Sequence, residues 1–297
     1  MTCHPETVES FLPFQVLAVS LSPRSARHLF LVFLSGLQLC FAQSKLDLPL
    51  FFESAAREYG IPSSVLKGVA FVETRWSQIV PDQKEDSDRH MPPAYGVMGL
   101  RDDEWFGHSL LKASELTGVH SSVLKEDAAM NIRGGTAVLS WLADQQDPRP
   151  SQTDIVGWID VVARYSGIHE PGNQGMYVEE VYRVLHDGYD EFDILIEPPA
   201  FDIESVRDII RQRYPKAEGT SLLSEDYGPA VWYPSPNFNS RGGTPITHVI
   251  IHDTEGSFAG ALDWLRNPAS QVSAHYLFRS SDGYLAQMVS EADRAWH

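Results

Sequence analysis

The sequence predicts a multidomain protein in which an α-rich domain is followed by an incomplete mixed α/β domain. A chain of 297 residues is long for one typical domain and suits two. Apolar residues recur at three- and four-residue spacing between residues 48 and 189, which indicates helices. After Pro245 the pattern changes to short apolar runs separated by turn residues, which favours strands.

Helical periodicity is clearest in four stretches of the first half of the chain. These are FFESAAREYG, PSSVLKGVAFVETRW, AAMNIRGGTAVLSWLAD and DIVGWIDVVARYSG. We therefore predict one α-rich domain over residues 43–190. Residues 191–240 are rich in Pro, Gly, Ser and Asn, so we interpret them as a linker region that contains a short helix in SVRDIIRQRYPKAEG.

The last segment, residues 241–297, has the pattern of a mixed α/β domain. ITHVIIH predicts a buried strand, FAGALDWLRNP predicts a short helix, and SAHYLFRS and YLAQMVS predict two strands around the turn Ser281-Asp282-Gly283. The apolar surface of this segment is too small for a stable core of its own. We therefore expect it to be the N-terminal part of a truncated domain.

The N-terminal segment, residues 1–42, predicts a signal peptide. Arg24, Arg27 and His28 precede an apolar run of about 14 residues, which is short for a membrane span. Small residues follow, and we expect cleavage after Ala42. The product would be secreted or periplasmic and would have no stable membrane anchor, whereas a buried helix or an anchor is the alternative.

The charge and cysteine content exclude several functional classes. The formal net charge of −17 argues against a nucleic-acid partner, because phosphate binding requires clustered Lys and Arg. The cysteines, Cys3 and Cys40, both precede the expected cleavage site, so the mature chain has neither a disulfide framework nor a Cys nucleophile. The sequence also contains no Walker motif, no glycine-rich dinucleotide loop and no GxSxG motif.

Glu73 is a candidate general acid because of its position on a predicted helix. At about 100° per residue, its side chain lies near the apolar face that contains Leu66 and Val69. A carboxyl group removed from water has a raised pKa and can stay protonated near neutral pH. The alternative is that Glu73 lies at the helix edge and pairs with Arg75 or Lys67.

Five short motifs follow one another along the α-rich domain. They are Glu73-Thr74-Arg75-Trp76, Tyr95-Gly96-Val97-Met98-Gly99-Leu100, Asn131-Ile132, Arg164-Tyr165-Ser166-Gly167, and Tyr177-Val178 before Val181-Tyr182. In this order they resemble the lytic transglycosylases and goose-type lysozymes over most of residues 48–190. The resemblance implies a lysozyme-like fold that cleaves glycan strands.

The same resemblance implies roles for individual residues. Glu73 would be the catalytic residue, which protonates the glycosidic oxygen and then assists attack by a hydroxyl of the sugar itself. Tyr95, Met98, Asn131 and Tyr165 would contact the substrate.

Three departures from the family pattern bear on the reaction. Gly99 stands where Gln is usual, Ser166 stands where Asn is common, and the loop PDQKEDSDRH is unusually acidic. A hydrolase needs a second carboxylate to activate water. Asp82, Asp86 or Asp88 are candidates for it, with a solvated loop as the alternative.

His252 follows an apolar run and raises two interpretations. A histidine in this position is often a hydrogen-bonded structural residue. His275 and His297 follow it in the sequence, and three neutral imidazoles with one water would form a catalytic zinc site. The residues alone leave both interpretations open.

Further motifs occur between Ile246 and His297. They are Val249-Ile250-Ile251-His252-Asp253-Thr254-Glu255-Gly256, Gln271-Val272-Ser273-Ala274-His275-Tyr276-Leu277, Asp282-Gly283, Gln287-Met288-Val289 and Asp293-Arg294-Ala295-Trp296-His297. They are similar to the opening of the zinc-dependent N-acetylmuramoyl-L-alanine amidases, the family that includes the peptidoglycan recognition proteins.

This second resemblance implies one Zn²⁺ ion with His252 as its first ligand. Thr254, His275 and His297 would line the substrate cleft. The other zinc ligands and the base of the family belong to a later segment, so we expect them beyond residue 297. The chain as given would then bind zinc weakly and would not be competent as an amidase.

Together the two resemblances predict a secreted, monomeric peptidoglycan hydrolase. It would cut the amide between muramic acid and L-alanine, with an N-terminal domain that cuts between sugars. A linker between two such domains raises the local concentration of the second site once the first engages the cell wall. The alternative is a peptidoglycan-binding or sensing protein whose domains have lost their chemistry.

Overall fold

The computed structural model describes residues 47–81, 91–216, 223–224, 226–254 and 256–296. These residues all belong to one compact unit that extends from Ser44 to His297. The predicted signal peptide, the candidates Asp82, Asp86 and Asp88, and His297 lie outside the described residues.

Helices dominate the described residues from 47 to 187. They are α1 (Leu48–Tyr59), α2 (Ser63–Thr74), α3 (Ser109–Thr117), α4 (Ser121–Glu126), α5 (Ala128–Ala143), α6 (Ile159–Tyr165) and α7 (Pro171–Asp187). Acidic side chains cap several of these helices: Asp127 accepts a hydrogen bond from the backbone N–H of Met130 at the start of α5, and Glu170 accepts one from Asn173 in α7. Gly118 ends α3 in the left-handed conformation.

Helix α2 lies at the centre of the helical part. Every residue from Val65 to Thr74 is buried, because α2 is covered on all sides and packs against α7. Trp158, Tyr177 and Tyr182 are among the largest fully buried side chains around it. Glu73 is therefore carried by the most enclosed helix of the fold.

The predicted linker region contains regular structure. The strands β1 (Tyr189–Glu191) and β2 (Ile194–Ile196) form an antiparallel hairpin, and α8 (Ile203–Arg213) packs against α7. Asp202 caps α8 by accepting from the backbone of Glu204 and Ser205, which confirms a helix in this stretch. The domain boundaries that we drew at residues 190 and 241 stay predictions.

The last part of the chain combines short strands with one helix. The elements are β3 (Val231–Trp232), β4 (Phe238–Ser240), α9 (Phe258–Arg266), β5 (Tyr276–Phe278), β6 (Leu285–Gln287) and β7 (Asp293–Ala295). Strand β6 lies between β5, its antiparallel partner, and β3, its parallel partner, and β4 pairs with β7. The predicted helix and the predicted strand pair around Gly283 are both present.

The predicted buried strand at residues 246–252 is wrong for this structure. The segment has no regular structure, and Val249 and Ile251 are 85% and 88% exposed. The three-stranded sheet consists of β3, β6 and β5 and does not include this segment. The apolar run therefore lies outside the sheet, although its composition is typical of a buried strand.

Across the described ranges, no helix is both long enough and apolar enough to cross a membrane.

Candidate functional site

Glu73 lies in the last turn of α2 and is 5% exposed. The backbone of Gly99 approaches it so closely that a Cβ built on Gly99 would lie 2.9 Å from both Cβ and Oε2 of Glu73. Gly99 also has a φ of +60°, a conformation that side-chain-bearing residues rarely adopt. The loop is thus shaped to pass directly over the carboxylate.

Burial controls the protonation of Glu73. Desolvation raises the pKa of Glu73 from about 4.5 to about 7, while the nearby charge of Arg101 and the hydroxyl of Tyr177 lower it and the charge of Glu180 raises it slightly. A carboxyl group with this pKa is partly protonated at neutral pH. It has the property that a general acid requires.

Glu73 forms no ion pair with Lys67 or Arg75, the two neighbours considered in the sequence analysis. Lys67 Nζ lies 2.7 Å from Glu53 Oε1, and Arg75 Nη2 lies 3.2 Å from Glu180 Oε1. The alternative of a Glu73 ion pair with Lys67 or Arg75 is therefore wrong.

Two buried polar side chains of α7 lie beside Glu73. The hydroxyl of Tyr177 is close enough to Glu73 to lower its pKa, although it makes no hydrogen bond of normal geometry among the described residues. Glu180, which is also buried, leaves Oε2 without a partner in the same part of the chain. Unpartnered buried polar atoms are rare and often mark functional sites.

The loop from Tyr95 to Leu100 is held by Asn131. Asn131 Oδ1 accepts from the backbone N–H of Met98 at 2.7 Å, and Nδ2 donates to the carbonyls of Tyr95 at 3.0 Å and Leu124 at 2.8 Å. Asn131 is fully buried and uses its amide entirely on this loop and the end of α4. Its observed role is to position the loop, and a contact with substrate stays a prediction.

The other predicted glycan-contacting residues lie in the same loop or next to it. The Tyr165 hydroxyl donates to the Met98 carbonyl at 2.8 Å, and the Met98 side chain is fully buried. Tyr95 is half-buried, with Lys125 Nζ 4.0 Å from the centre of its ring. Tyr95 is the most accessible of the four, and the substrate contacts of all four stay predictions.

Sequence reasoning missed several residues of this site. Thr74 donates from Oγ1 to the Val97 carbonyl at 2.6 Å and so ties α2 to the loop. Arg101 lies just after the loop, with its guanidinium 4.7 Å from the Phe106 ring and donating to the Pro92 carbonyl. No sequence pattern indicated Arg101. Glu180, by contrast, follows Tyr177 by three residues on the same helix, so helical spacing alone could have predicted that the two share one face.

The C-terminal part of the chain packs against this site. Asp263 of α9 accepts from Asn173 Nδ2 and from Trp105 Nε1, each at 3.0 Å. Burial raises the pKa of Asp263, and the two hydrogen bonds oppose that rise. A Cβ built on Gly256 would lie 2.5 Å from Arg101 Nη2, so the chain at Gly256 passes directly beside Arg101.

Of the predicted zinc and amide-cleft residues, the structure describes His252, Thr254 and His275. His252 and Thr254 are exposed in the irregular segment after residue 245. His275 lies directly before β5, with Nε2 3.1 Å from Arg241 Nη2 and 3.2 Å from the Asp293 carbonyl oxygen. The guanidinium only donates and the carbonyl only accepts, so these two contacts require opposite roles of Nε2. The His275 backbone carbonyl accepts from Met288 at 2.8 Å.

The residues that the structure describes do not fit a complete zinc site. In those ranges, no three side chains of His, Cys, Asp or Glu are grouped closely enough to hold a metal ion. His252 is the residue that the amidase resemblance singles out, and the described residues do not complete a set around it.

Comparisons with known proteins agree with the sequence motifs of the C-terminal part. Residues 242–297 match the profile of the N-acetylmuramoyl-L-alanine amidase family. N-acetylmuramoyl-L-alanine amidase A of Achromobacter lyticus is 49% identical over 73 residues, which are 24% of this chain and 41% of that protein. This chain thus spans less than half the length of the curated relative.

No solved structure matches the chain significantly. The resemblance of residues 48–190 to lytic transglycosylases therefore rests on the sequence motifs alone. The comparisons show that residues 242–297 are similar to the N-acetylmuramoyl-L-alanine amidase family.

Proposed function

We propose that this protein is a peptidoglycan hydrolase whose C-terminal segment belongs to an amidase for the bond between muramic acid and L-alanine. The observation that carries this proposal is the family match of residues 242–297 together with the similarity to amidase A. Such a substrate lies in the cell wall, so the protein would act in the periplasm or outside the cell. Its partner would be peptidoglycan, and it would act as a monomer.

Zinc dependence follows from the family, in which a zinc ion polarises the carbonyl and activates water. His252 would be one of the ligands. Because the described residues offer no complete set of ligands, we expect weak zinc binding by this chain.

Zinc binding at His252 is tested by replacing it with alanine and titrating zinc calorimetrically. His248 lies four residues earlier in the same irregular segment and is bonded to Thr247, so His248→Ala is the matched control. We expect His252→Ala to weaken zinc binding and His248→Ala to leave it unchanged. Equal affinities of all three proteins would remove His252 from the metal site.

We also propose that Glu73 cleaves glycan strands. The observation that favours this second activity is a buried carboxyl group with a pKa of about 7, in the motif order of the lytic transglycosylases. An acid must be protonated before reaction and ionised after it, and this pKa permits both at neutral pH.

The proposed reaction needs only one carboxyl group. The Glu73 carboxyl gives its proton to the glycosidic oxygen as the bond from that oxygen to the anomeric carbon breaks. The resulting carboxylate takes the proton of a hydroxyl on the same sugar while that oxygen attacks the anomeric carbon. An anhydro sugar is released, and Glu73 is protonated again. Hydrolysis would instead require a second carboxylate, for which Asp82, Asp86 and Asp88 remain candidates.

The alternative is a protein that binds peptidoglycan without cleaving it. The burial and raised pKa of Glu73 argue against it for the helical part.

Mass spectrometry of muropeptides distinguishes these functions. Purified peptidoglycan is incubated with the protein and zinc, in parallel with Glu73→Gln and His252→Ala. Anhydromuramic ends that disappear in Glu73→Gln indicate transglycosylation, and free stem peptides that disappear in His252→Ala indicate amidase action. Binding to the wall with neither product would leave only the non-catalytic reading.

A further inference from the structure

The end of helix α2 has an unusual backbone conformation directly after Glu73. Arg75, which ends the helix, has a φ of +53° and a ψ of +37°, and Trp76 has a φ of +59°. Helices α1 and α3 also end in this left-handed conformation, but at Gly60 and Gly118, which have no Cβ to crowd the backbone. Two successive residues with side chains are strained in this conformation and need contacts elsewhere in the fold to hold it.

The Arg75 side chain holds this turn against helix α7. Its guanidinium lies 4.4 Å from the centre of the Phe71 ring, and Nη1 donates to the Phe71 carbonyl at 2.9 Å. Nη2 lies 3.2 Å from Glu180 Oε1 on α7. Ser281 Oγ donates to the same Glu180 oxygen at 3.3 Å. The guanidinium thus joins the last turn of α2 to a carboxylate of α7.

Burial makes Glu180 a firm anchor for Arg75. The Glu180 side chain is 1% exposed, so its carboxylate depends on cations of the protein instead of water. Arg75 lies at ion-pair distance, and the charge of Arg279 also acts on Glu180. Separating Arg75 from a carboxylate this deeply buried is costly, which keeps the pair together.

The chain on either side of the left-handed turn is bonded to one loop. Before the turn, Thr74 Oγ1 donates to the Val97 carbonyl at 2.6 Å. After the turn, the Ile79 carbonyl accepts from the Gly96 N–H at 2.8 Å. Both partners belong to the loop from Tyr95 to Leu100, so the direction in which the chain leaves α2 fixes the position of that loop.

This loop is the one whose backbone covers Glu73. A Cβ built on Gly99 would lie 2.9 Å from Glu73 Oε2. A residue with a side chain that is released from the left-handed conformation favours right-handed helical geometry. The chain after Arg75 would then run in another direction, and the loop would shift relative to the carboxylate.

We propose that Arg75 and Glu180 are positioning residues for the general acid, because their ion pair holds the left-handed turn and so fixes the loop over Glu73. This inference rests on the proposed glycan-cleaving function of Glu73. A displacement of about 1 Å in a catalytic site can lower a rate about a hundredfold. The pair should therefore affect the rate of bond cleavage more than the binding of the glycan.

Alanine and glycine at position 75 give a direct test of the left-handed turn. Both Arg75→Ala and Arg75→Gly remove the ion pair, but only glycine adopts the left-handed conformation without strain. We expect Arg75→Ala to lower kcat for muropeptide release about tenfold and to leave KM unchanged. Arg75→Gly should recover part of this loss. A side chain that acts only through its charge or its packing would give equal losses in the two variants.

A second background and a control accompany this comparison. Arg75→Ala and Arg75→Gly leave Glu180 buried without its partner, which destabilises the fold. Both are therefore also compared within Glu180→Gln, whose amide carries no charge. Phe192→Gly is the matched control, because Phe192 and Asp193 are also successive residues with positive φ, of 54° and 64°, in the β1–β2 turn. Phe192 is exposed, so its replacement should leave release unchanged.

Hydrogen exchange follows the turn without depending on catalysis. The N–H groups of Ser77 and Gly96 donate to the carbonyls of Thr74 and Ile79. We expect both amides to exchange about tenfold faster in Arg75→Ala than in wild type, and more slowly in Arg75→Gly than in Arg75→Ala. Equal exchange in Arg75→Ala and wild type, or in Arg75→Ala and Arg75→Gly, would overturn the positioning role.

The two measurements separate this inference from the proposed function. Slower release and faster exchange in Arg75→Ala, with recovery in Arg75→Gly, support both. The expected exchange with no release by any form, wild type included, overturns glycan cleavage and leaves the ion pair as the support of the loop. Release by wild type that Arg75→Ala leaves unchanged overturns the positioning role while glycan cleavage stands.

Discussion

The backbone of Gly99 lies against the carboxylate of Glu73, and the space between them is too small for a methyl group. Gln is usual at this position in the lytic transglycosylases that the surrounding motif resembles. A Gln at a φ of +60° would be strained, and its Cβ would displace Glu73.

Gly99→Ala should therefore destabilise the protein more than an alanine in the same conformation elsewhere. Gly118 provides the matched control, because its φ is +68° and a methyl group at that position would meet no other described atom within 4 Å. We expect Gly118→Ala to lower the free energy of unfolding by about 1 kcal/mol through backbone strain. Gly99→Ala should lower it by at least about 1 kcal/mol more, because its methyl group would also collide with Glu73. Urea unfolding measures both.

Equal costs in the two variants would mean that the Gly99 loop moves away from Glu73 without penalty. In that case the close packing of Gly99 against Glu73 would not contribute to the stability of the protein.

The protonation of Glu73 should make stability depend on pH. Burial raises the pKa of Glu73 to about 7, above its usual value near 4.5. A group with a raised pKa in the folded state contributes stability that is fully present below the unfolded-state pKa and is lost as the pH rises through the folded-state pKa. The free energy of unfolding should thus fall between about pH 4.5 and pH 8, by roughly 3 kcal/mol at most.

Glu73→Gln should remove this fall, since the amide does not ionise. Urea unfolding at several pH values compares it with wild type and with Glu53→Gln, which alters an exposed partner of Lys67. A profile of Glu73→Gln that still falls over this range would assign the pH dependence to another group.

Local periodicity predicted the helical part of the site but not its partners. The spacing of Leu66, Val69 and Glu73 on one helix made a buried carboxyl group one of two interpretations, the other being a carboxylate at the helix edge. The sequence did not predict that Arg75 would pair with Glu180, because the two residues are 105 positions apart. Contacts between residues so far apart in the sequence depend on how the helices pack, which the pattern of a single sequence does not reveal.

The strand predicted at residues 246–252 shows a different limit. Its apolar composition indicated burial, but a strand also needs a neighbouring strand to pair with, and the described residues show no such pairing for this segment. The contact of Asp263 with Asn173 and Trp105 was likewise not predicted, since each side chain is unremarkable in its own segment.

Replacing Asn131 with aspartate should destabilise the protein, because both hydrogens of the Asn131 amide group donate hydrogen bonds. Its Nδ2 donates to two carbonyl oxygens, so an aspartate would place an acceptor against acceptors in a buried site. We expect Asn131→Asp to lower the free energy of unfolding by about 3 kcal/mol or more.

Asn239→Asp is the control for this substitution. Asn239 Oδ1 accepts from Arg294 Nε and Trp296 Nε1 at 3.1 Å each, so an aspartate preserves both bonds. Unfolding midpoints compare the two variants, and similar losses in both would contradict the positioning role of Asn131.

Glu180 should tune the pKa of Glu73 through its charge. The two carboxylates repel each other in a buried environment, so neutralising one makes ionisation of the other easier. Glu180→Gln should therefore lower the pKa of Glu73, which ¹³C NMR of labelled glutamate side chains can follow. Its neighbour Glu179 pairs with Arg207 at the surface, and Glu179→Gln should leave the Glu73 titration where it is. An unmoved or raised pKa of Glu73 in Glu180→Gln would contradict the proposed repulsion between the two carboxylates.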